Sequence, residues 1–375
     1  MLFNVCALYI KIMNNENQTI HKSDDNLTIY GWNEKLNQLK QESIYSALAH
    51  GRVSIVHRTC YEVISGNGLF QCELTGNMMY GKSDDELPCT GDWVIFQPFD
   101  EHKGIIVDRL PRERTLYRKK SGTVADKQAI ASYVDKAFIV QSLDDNFNVR
   151  RVERFMVQIM EENISSVLVL NKADLDFDRQ SVEEQIKHIS SQIPVFFTSI
   201  HQLETIVRLR KSISEGETVV FVGSSGVGKS SLVNALCEKP VLLTSDISLS
   251  TGKGRHTSTR REMVLMDSSG GLIDTPGVRE FGLAIDNPDS LAEVLEISDY
   301  AESCRFKDCK HINEPGCAVI EAVNSGALDS KVYESYLKLR REAWHFSASE
   351  HEKRKKEKSF TKLVKEVKNR KDANR

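Results

Sequence analysis

Across 375 residues, charged side chains make up 27% and hydrophobic ones 40%, with a net charge of −3. This composition suits two or three globular domains, each able to bury a core, and excludes a uniformly basic nucleic-acid binder. The charge is uneven: residues 351–375 hold eleven Lys/Arg against four Asp/Glu, a local +7, so the remainder sums to −10.

The opening "MLFNVCALYIKIM" is apolar but has no basic start and no small-residue cleavage site, and it is too short to span a bilayer. No other run approaches transmembrane length, so no membrane is expected. Cys6, Cys60, Cys72, Cys89 and Cys237 are scattered, whereas Cys304, Cys309 and Cys317 cluster. That usage fits a reducing, cytoplasmic setting with one metal site.

Along the chain, residues 13–30 are polar and Asn-rich and read as a poorly ordered lead, followed by a short helix in "NEKLNQLKQESIYSALA". From Arg52 to Pro111, five short β-rich runs between Gly, Asn and Asp turns predict a small closed barrel of the oligonucleotide-binding type. The segment "PRERTLYRKKSGTVADKQ" reads as a basic linker that either touches phosphate or is simply solvated. Apolar strands then alternate with amphipathic helices, which predicts a mostly parallel sheet covered on both faces. Charge-rich helical sequence closes the chain. The expected domains are an N-terminal extension (1–50), a β-barrel (51–112), an α/β domain (113–283), a metal-binding helical module (284–350) and a basic tail (351–375).

Three loops carry the chemistry. "GSSGVGKS" follows the strand "TVVFV" and opens the helix "KSSLVNAL", the context that a phosphate loop requires. Backbone amides of Gly223, Ser224, Ser225, Gly226, Val227 and Gly228, continuing to Ser231, would cradle phosphate oxygens. Lys229 would reach the β- and γ-phosphates, and Ser230 would bind Mg²⁺. "DTPG" after the strand "GLI" supplies Asp274 for the Mg²⁺ shell and the Gly277 amide for the γ-phosphate.

"NKAD" after "VLVL" alone fits a solvated turn, but beside the other two loops it is expected to read guanine. The Asp174 carboxylate would accept from a donor pair that adenine lacks, Asn171 would bond the other edge, and Lys172 would lie across the loop. Thr198 and Ser199, after the next strand, could close over the base. "GRHTST" reads as a first switch, with Thr257 and Thr259 both candidates for the metal shell and His256 a candidate for orienting water. Val278 stands where a water-orienting Gln would sit. Finally, Cys304, Cys309, His311 and Cys317 follow C-x4-C-x-H-x5-C, a closed set for one structural Zn²⁺.

Taken in order, barrel, "NKAD", "GSSGVGKS", "GRHTST", "DTPG" and "CRFKDCKHINEPGC" resemble the circularly permuted GTPases of the ribosome-small-subunit-dependent GTPase A family. The resemblance spans residues 50–345. It implies a multidomain protein: an OB-fold barrel, a permuted α/β P-loop GTPase domain and a C-terminal zinc-binding helical domain. It further implies hydrolysis of GTP with Mg²⁺, stimulated by the small ribosomal subunit and its rRNA during late maturation; a monomer is expected, although the sequence itself does not specify the oligomeric state. Other readings are a permuted GTPase serving the large subunit, a small-molecule kinase, and an RNA-binding scaffold with weak turnover. The basic residues offered for RNA are Arg52, His57 and Arg58, the linker's Arg112, Arg114, Arg118, Lys119 and Lys120, and the tail. Tyr61 and Phe70 are either base-stackers or barrel core. Because "DTPG" ends the permuted domain, "VREFGLA" is expected to carry γ-phosphate loss to the zinc module.

Overall fold

The computed structural model describes residues 24–79, 83, 85–119, 127–242, 261–266, 270–275 and 289–347. Five strands make the barrel: β1 (Ala49–Val56), β2 (Tyr61–Ser65), β3 (Gly68–Leu74), β4 (Trp93–Asp100) and β5 (Lys103–Arg109). β1–β2, β2–β3 and β4–β5 pair antiparallel, β3–β5 parallel, and β1–β4 closes the ring. The alternation of "YEVIS" follows from closure, since Tyr61, Val63 and Ser65 are buried while Glu62 and Ile64 are less so. Val53, Val63, Phe70, Cys72, Val94, Phe96 and Ile106 fill the interior. Tyr61 and Phe70 are only 8% and 6% exposed, so they serve the core and not base stacking.

The expected linker is instead a second small sheet, β6 (Leu116–Lys119) paired antiparallel with β7 (Lys127–Ala131). Its basic residues are largely engaged within the protein. Arg112 forms a buried ion pair with Asp92 at 2.7 Å, Arg114 meets Asp135 at 2.9 Å, and Arg118 donates to Gln128. Lys120 lies outside the described residues, and so does the Lys119 side chain.

The α/β sheet contains β8 (Lys136–Ser142), β9 (Ser165–Asn171), β10 (Val195–Thr198), β11 (Thr218–Val222), β12 (Glu262–Leu265) and β13 (Gly271–Asp274). Their order is β10-β9-β8-β11-β13-β12, parallel except for the β12–β13 pair. β11 lies mid-sheet, and Val219 to Val222 are fully buried, as a continuous apolar run between two helical layers requires. A single β1–β12 pairing, Ile55 with Glu262, makes barrel and sheet continuous.

The helical module, containing Asp289–Val294, Ser298–Ala301, Ala318–Ser325 and Ser330–Ser347, is not an appendage. Leu291, Ile297, Val319 and Leu339 share one apolar core with Val152, Phe155, Met156 and Ile159 of the helix Val149–Glu161. Polar ties accompany them: Arg154 to Glu342 at 2.8 Å, and Ser335 to the buried Glu153. Partly exposed ion pairs contribute about 1 kcal/mol or less, whereas each fully buried aliphatic or Phe side chain contributes about 1.5–3 kcal/mol, so the apolar seam holds the module. The connecting "VREFGLA" lies outside the described residues.

Two readings of the N-terminal half change. Asp24–Tyr30 forms a short 3₁₀ helix and Glu34–Glu42 an α-helix capped by Asn33, which accepts from the Leu36 amide. Leu27, Trp32 and Leu36 pack against Trp93, Ile95, Leu110 and Tyr133. Apolar contacts therefore order residues 24–30, despite their polar composition. Arg52 is 1% exposed and faces no solvent. Its guanidinium donates to the carbonyls of Gly91 (2.9 Å), Tyr133 (3.2 Å) and Tyr30, and to Thr218 Oγ1 (2.9 Å). Burial pushes its pKa down to about 10, against the opposing pull of Asp135.

Replacing Arg52 with Met would strand several buried acceptors at once. We expect a loss of about 3 kcal/mol or more in denaturant unfolding, against less than about 0.5 kcal/mol for the exposed Arg58→Met. Equal effects at the two positions would contradict the buried-hub reading.

Candidate functional site

The site forms at the carboxyl ends of β8, β9 and β11. After Val222 the chain turns through Gly223 (φ 153°), Gly226 (φ 83°) and Gly228 (φ 95°) into the helix Lys229–Leu236. Two of these glycines answer to neighbours. A Cβ on Gly223 would lie 2.4 Å from the Val140 carbonyl oxygen, and one on Gly228 would lie 2.3 Å from the Asn171 side-chain nitrogen. Val227 is fully buried and anchors the loop in the core. Ser225 and Gly226 are exposed at its rim, with Ser224 and Ser231 half-buried.

Lys229 is buried, and its ammonium donates to the Gly223 and Ser224 carbonyls at 2.9 Å each. Burial lowers its pKa to about 8, although Asp274 pulls the other way. Ser230 donates to the Asp274 carboxylate at 2.7 Å, so two hard oxygen donors from different strand ends already meet. Next to Asp274, the Thr275 hydroxyl donates to the Phe221 carbonyl at 2.6 Å and fastens the start of "DTPG" to β11. Gly277, His256, Thr257, Thr259 and Val278 lie outside the described residues.

The "NKAD" loop adjoins the phosphate loop. Asn171, 3% exposed, donates its amide to the Val227 carbonyl at 2.8 Å and accepts from Thr198 Oγ1 at 3.3 Å. Parallel pairing of β9 with β10 sets Thr198 opposite Asn171, and the Ala173 amide donates to the Thr198 carbonyl at 2.9 Å. Lys172 adopts φ 61° and pairs with Asp144 at 2.9 Å. The Asp174 carboxylate faces solvent, where a hydrogen bond from Ser199 holds it below the ordinary range. Thr198 and Ser199 thus do adjoin the loop, each fully buried.

The second candidate centre is the cysteine cluster. The ligand atoms of Cys304, Cys309, His311 and Cys317 all lie within 4.8 Å of one another. His311 Nδ1 is 3.5 Å from the Cys304 sulfur and 3.4 Å from that of Cys317, and those two sulfurs are 3.9 Å apart. Tetrahedral Zn²⁺ with Zn–S of about 2.3 Å and Zn–N of about 2.0 Å needs about 3.5 and 3.8 Å for these separations. The donor set therefore fits such an ion. Glu314 gathers the amides of Lys310, Ile312 and Asn313 around the turn, and the Tyr333 hydroxyl donates to the His311 carbonyl at 2.6 Å.

Comparison with known proteins decides the family. "Small ribosomal subunit biogenesis GTPase RsgA 1" of Bacteroides thetaiotaomicron is 76% identical over 359 residues, covering 96% of this chain and 99% of that one. The chain belongs to the RsgA GTPase family. Its family model matches residues 109–284, and the Methanosarcina acetivorans relative "Small ribosomal subunit biogenesis GTPase RsgA" is 38% identical, covering 87% and 89% of the two chains. Like the family, this protein is a GTP hydrolase.

A crystal structure of YjeQ from Thermotoga maritima superposes with a TM-score of 0.58 at 27% identity, covering 79% of this chain and 98% of that one. YloQ, described as a circularly permuted GTPase, gives 0.58 at 22% identity, covering 82% and 99%, a likeness of fold alone. An ABC transporter model also matches residues 206–371, a span that includes the phosphate loop. No described helix is long and apolar enough to cross a membrane.

Sequence reasoning missed two partners of these RsgA loops: the Val227 carbonyl, because it is backbone, and Asp144. The only signal for Asp144 was a polar "DDNFN" turn after a strand.

The lowered pKa of Lys229 has a consequence with a definite sign. Bound phosphate favours the ammonium, so binding takes up a proton wherever the free protein has lost it. GDP affinity should fall about five-fold between pH 8 and 9, and the fall should be absent in Lys229→Arg. Identical pH profiles for the two proteins would contradict a depressed lysine.

Proposed function

We propose that this protein binds the small ribosomal subunit and hydrolyses GTP there late in maturation, with turnover stimulated by the subunit. It would act in the cytoplasm as a monomer. The observation that carries this reading is a guanine-type loop set and a closed five-stranded barrel on one continuous sheet, in a chain 76% identical to a relative named for small-subunit biogenesis. For rRNA, the barrel offers Arg58, Phe99, His102 and Lys103, all exposed, in place of the buried Arg52 and Arg112. Contacts of that kind are salt-sensitive.

In this reading the amides of residues 223–231 bind the phosphates, and Lys229 exchanges its carbonyl partners for phosphate oxygens. Asp174 accepts from guanine, with Thr198 and Ser199 behind it. Ser230 and Asp274 would hold Mg²⁺, which when bound neutralises charge on the β- and γ-oxygens. Gly277, Thr257 or Thr259, and His256 keep their expected roles at the γ-phosphate and the attacking water. Cys304, Cys309, His311 and Cys317 would hold one Zn²⁺ in a closed structural site, so the metal serves folding and not the reaction.

GTP turnover measured alone, with purified small subunits and with purified large subunits should rise at least about ten-fold with the small subunit only. Stimulation by the large subunit, or by neither, would contradict the proposal. Metal analysis should find zinc near one equivalent, and strong chelation should lower the melting temperature because the module shares its core with Val149–Glu161. Absence of bound metal would overturn the zinc assignment.

A further inference from the structure

The loop after β8 has no part in the roles assigned above, yet it reaches the base-reading loop. It runs from Leu143 to Asn148 and is held by hydrogen bonds along its length. The Leu143 amide donates to the Asn171 carbonyl at 2.9 Å, and the Phe147 amide donates to the Asp144 carbonyl at 2.8 Å. Asn148 caps the following helix by accepting from the Arg151 amide at 3.2 Å. Within it, the two carboxylate oxygens of Asp144 divide their work. Oδ1 accepts from Ser142 Oγ at 2.6 Å and from the Asn146 amide at 3.0 Å, which fixes the plane of the group. Oδ2 is thereby directed at Lys172 Nζ, 2.9 Å away.

Lys172 is the member of "NKAD" with left-handed backbone, at φ 61°, a conformation that a long L side chain seldom adopts without support. Its neighbours are already fixed. Asn171 is tied to Val227 and Thr198, and the Ala173 amide to the Thr198 carbonyl. Besides the Leu143–Asn171 backbone bond and the Leu175 amide donating to the Lys172 carbonyl at 3.1 Å, the Lys172–Asp144 pair supplies the side-chain restraint on the side facing β8.

We propose that Asp144 is a positioning residue for guanine recognition, acting through Lys172 to hold the 171–174 loop in its binding conformation before nucleotide arrives. Preorganisation of this kind removes an ordering cost from binding of the base and leaves the phosphate contacts untouched. Burial works against ionisation of Asp144, but its hydrogen bonds from Ser142, Lys172 and the Asn146 amide prevail and hold its pKa at about 2. The restraint therefore persists across the working pH range.

The proposal rests on residues 171–174 reading guanine, and its test separates the two. GDP and ADP affinities are measured by calorimetry on the full chain, for wild type, Asp144→Ala and Asp144→Asn. A positioning role predicts that the GDP-to-ADP preference falls about ten-fold in Asp144→Ala and less in Asp144→Asn, which retains an acceptor. Weak ADP binding through the phosphate loop should stay unchanged, and the KM for GTP should rise with kcat preserved. Asp144→Asn and Lys172→Met should be non-additive in a double-mutant cycle. A guanine-selective wild type whose preference survives in both Asp144 variants, loses GDP and ADP affinity in parallel, or shows additive effects overturns this proposal alone. A wild type that binds ADP as tightly as GDP removes the guanine reading and this proposal with it.

Discussion

One hydrogen bond sets the geometry of this protein: the Asn171 amide to the Val227 carbonyl, 2.8 Å across 56 residues of sequence. β9 and β11 both flank β8, so about two strand spacings, roughly 10 Å, separate the loops that follow them. Asn171 crosses that gap and satisfies a buried carbonyl that would otherwise cost about 1–3 kcal/mol. The same contact dictates Gly228, where any Cβ would strike the Asn171 nitrogen. A chain order that places the base-reading loop before the phosphate loop therefore has no effect on the site, because strand neighbours and not sequence neighbours build it.

The rest of the molecule is arranged around that sheet at two places. At the amino end of β11, Arg52 from the barrel meets Thr218, the first residue of the strand whose last leads into the phosphate loop. Its other bonds draw in the N-terminal segment through Tyr30 and the β7–β8 turn through Tyr133, so barrel, extension and sheet share one desolvated cation. On a covering face, the helix Val149–Glu161 begins beside Asp144 and carries the helical module on its apolar side. The cysteine cluster is fastened to that module by Tyr333. A continuous packed route thus runs from the base-reading loop to the metal-binding turn through Val149–Glu161. It is a second connection besides the chain segment after "DTPG".

What was legible in the sequence was whatever is encoded by short spacing. The glycines and Lys-Ser of "GSSGVGKS", the strand before "NKAD" and the C-x4-C-x-H-x5-C run each specify a local geometry, and in each the structure brings the named residues together. The barrel was legible because closure imposes alternation on short strands. The misreadings share a different cause. Arg52 and Arg112 look like surface cations because nothing nearby announces a partner, yet their partners include Thr218, 166 residues away, and Asp92. Leu27, in the polar lead, and Trp32, just after it, follow no strand or helix period, and only the tertiary position of Trp93 makes them core. Asp144 showed no more than a polar turn for the same reason: its partner, Lys172, stands 28 residues further on.

The central claim is that one nucleotide site is assembled across the permuted order and held by the Asn171–Val227 bond. An experimental structure of the full chain with Mg²⁺ and a non-hydrolysable GTP analogue tests it most directly. The account predicts guanine against Asp174, phosphates within residues 223–231, Lys229 moved from the Gly223 and Ser224 carbonyls onto phosphate, and the Asn171–Val227 bond intact. Guanine seated away from Asp174, or that bond broken with nucleotide bound, would contradict it.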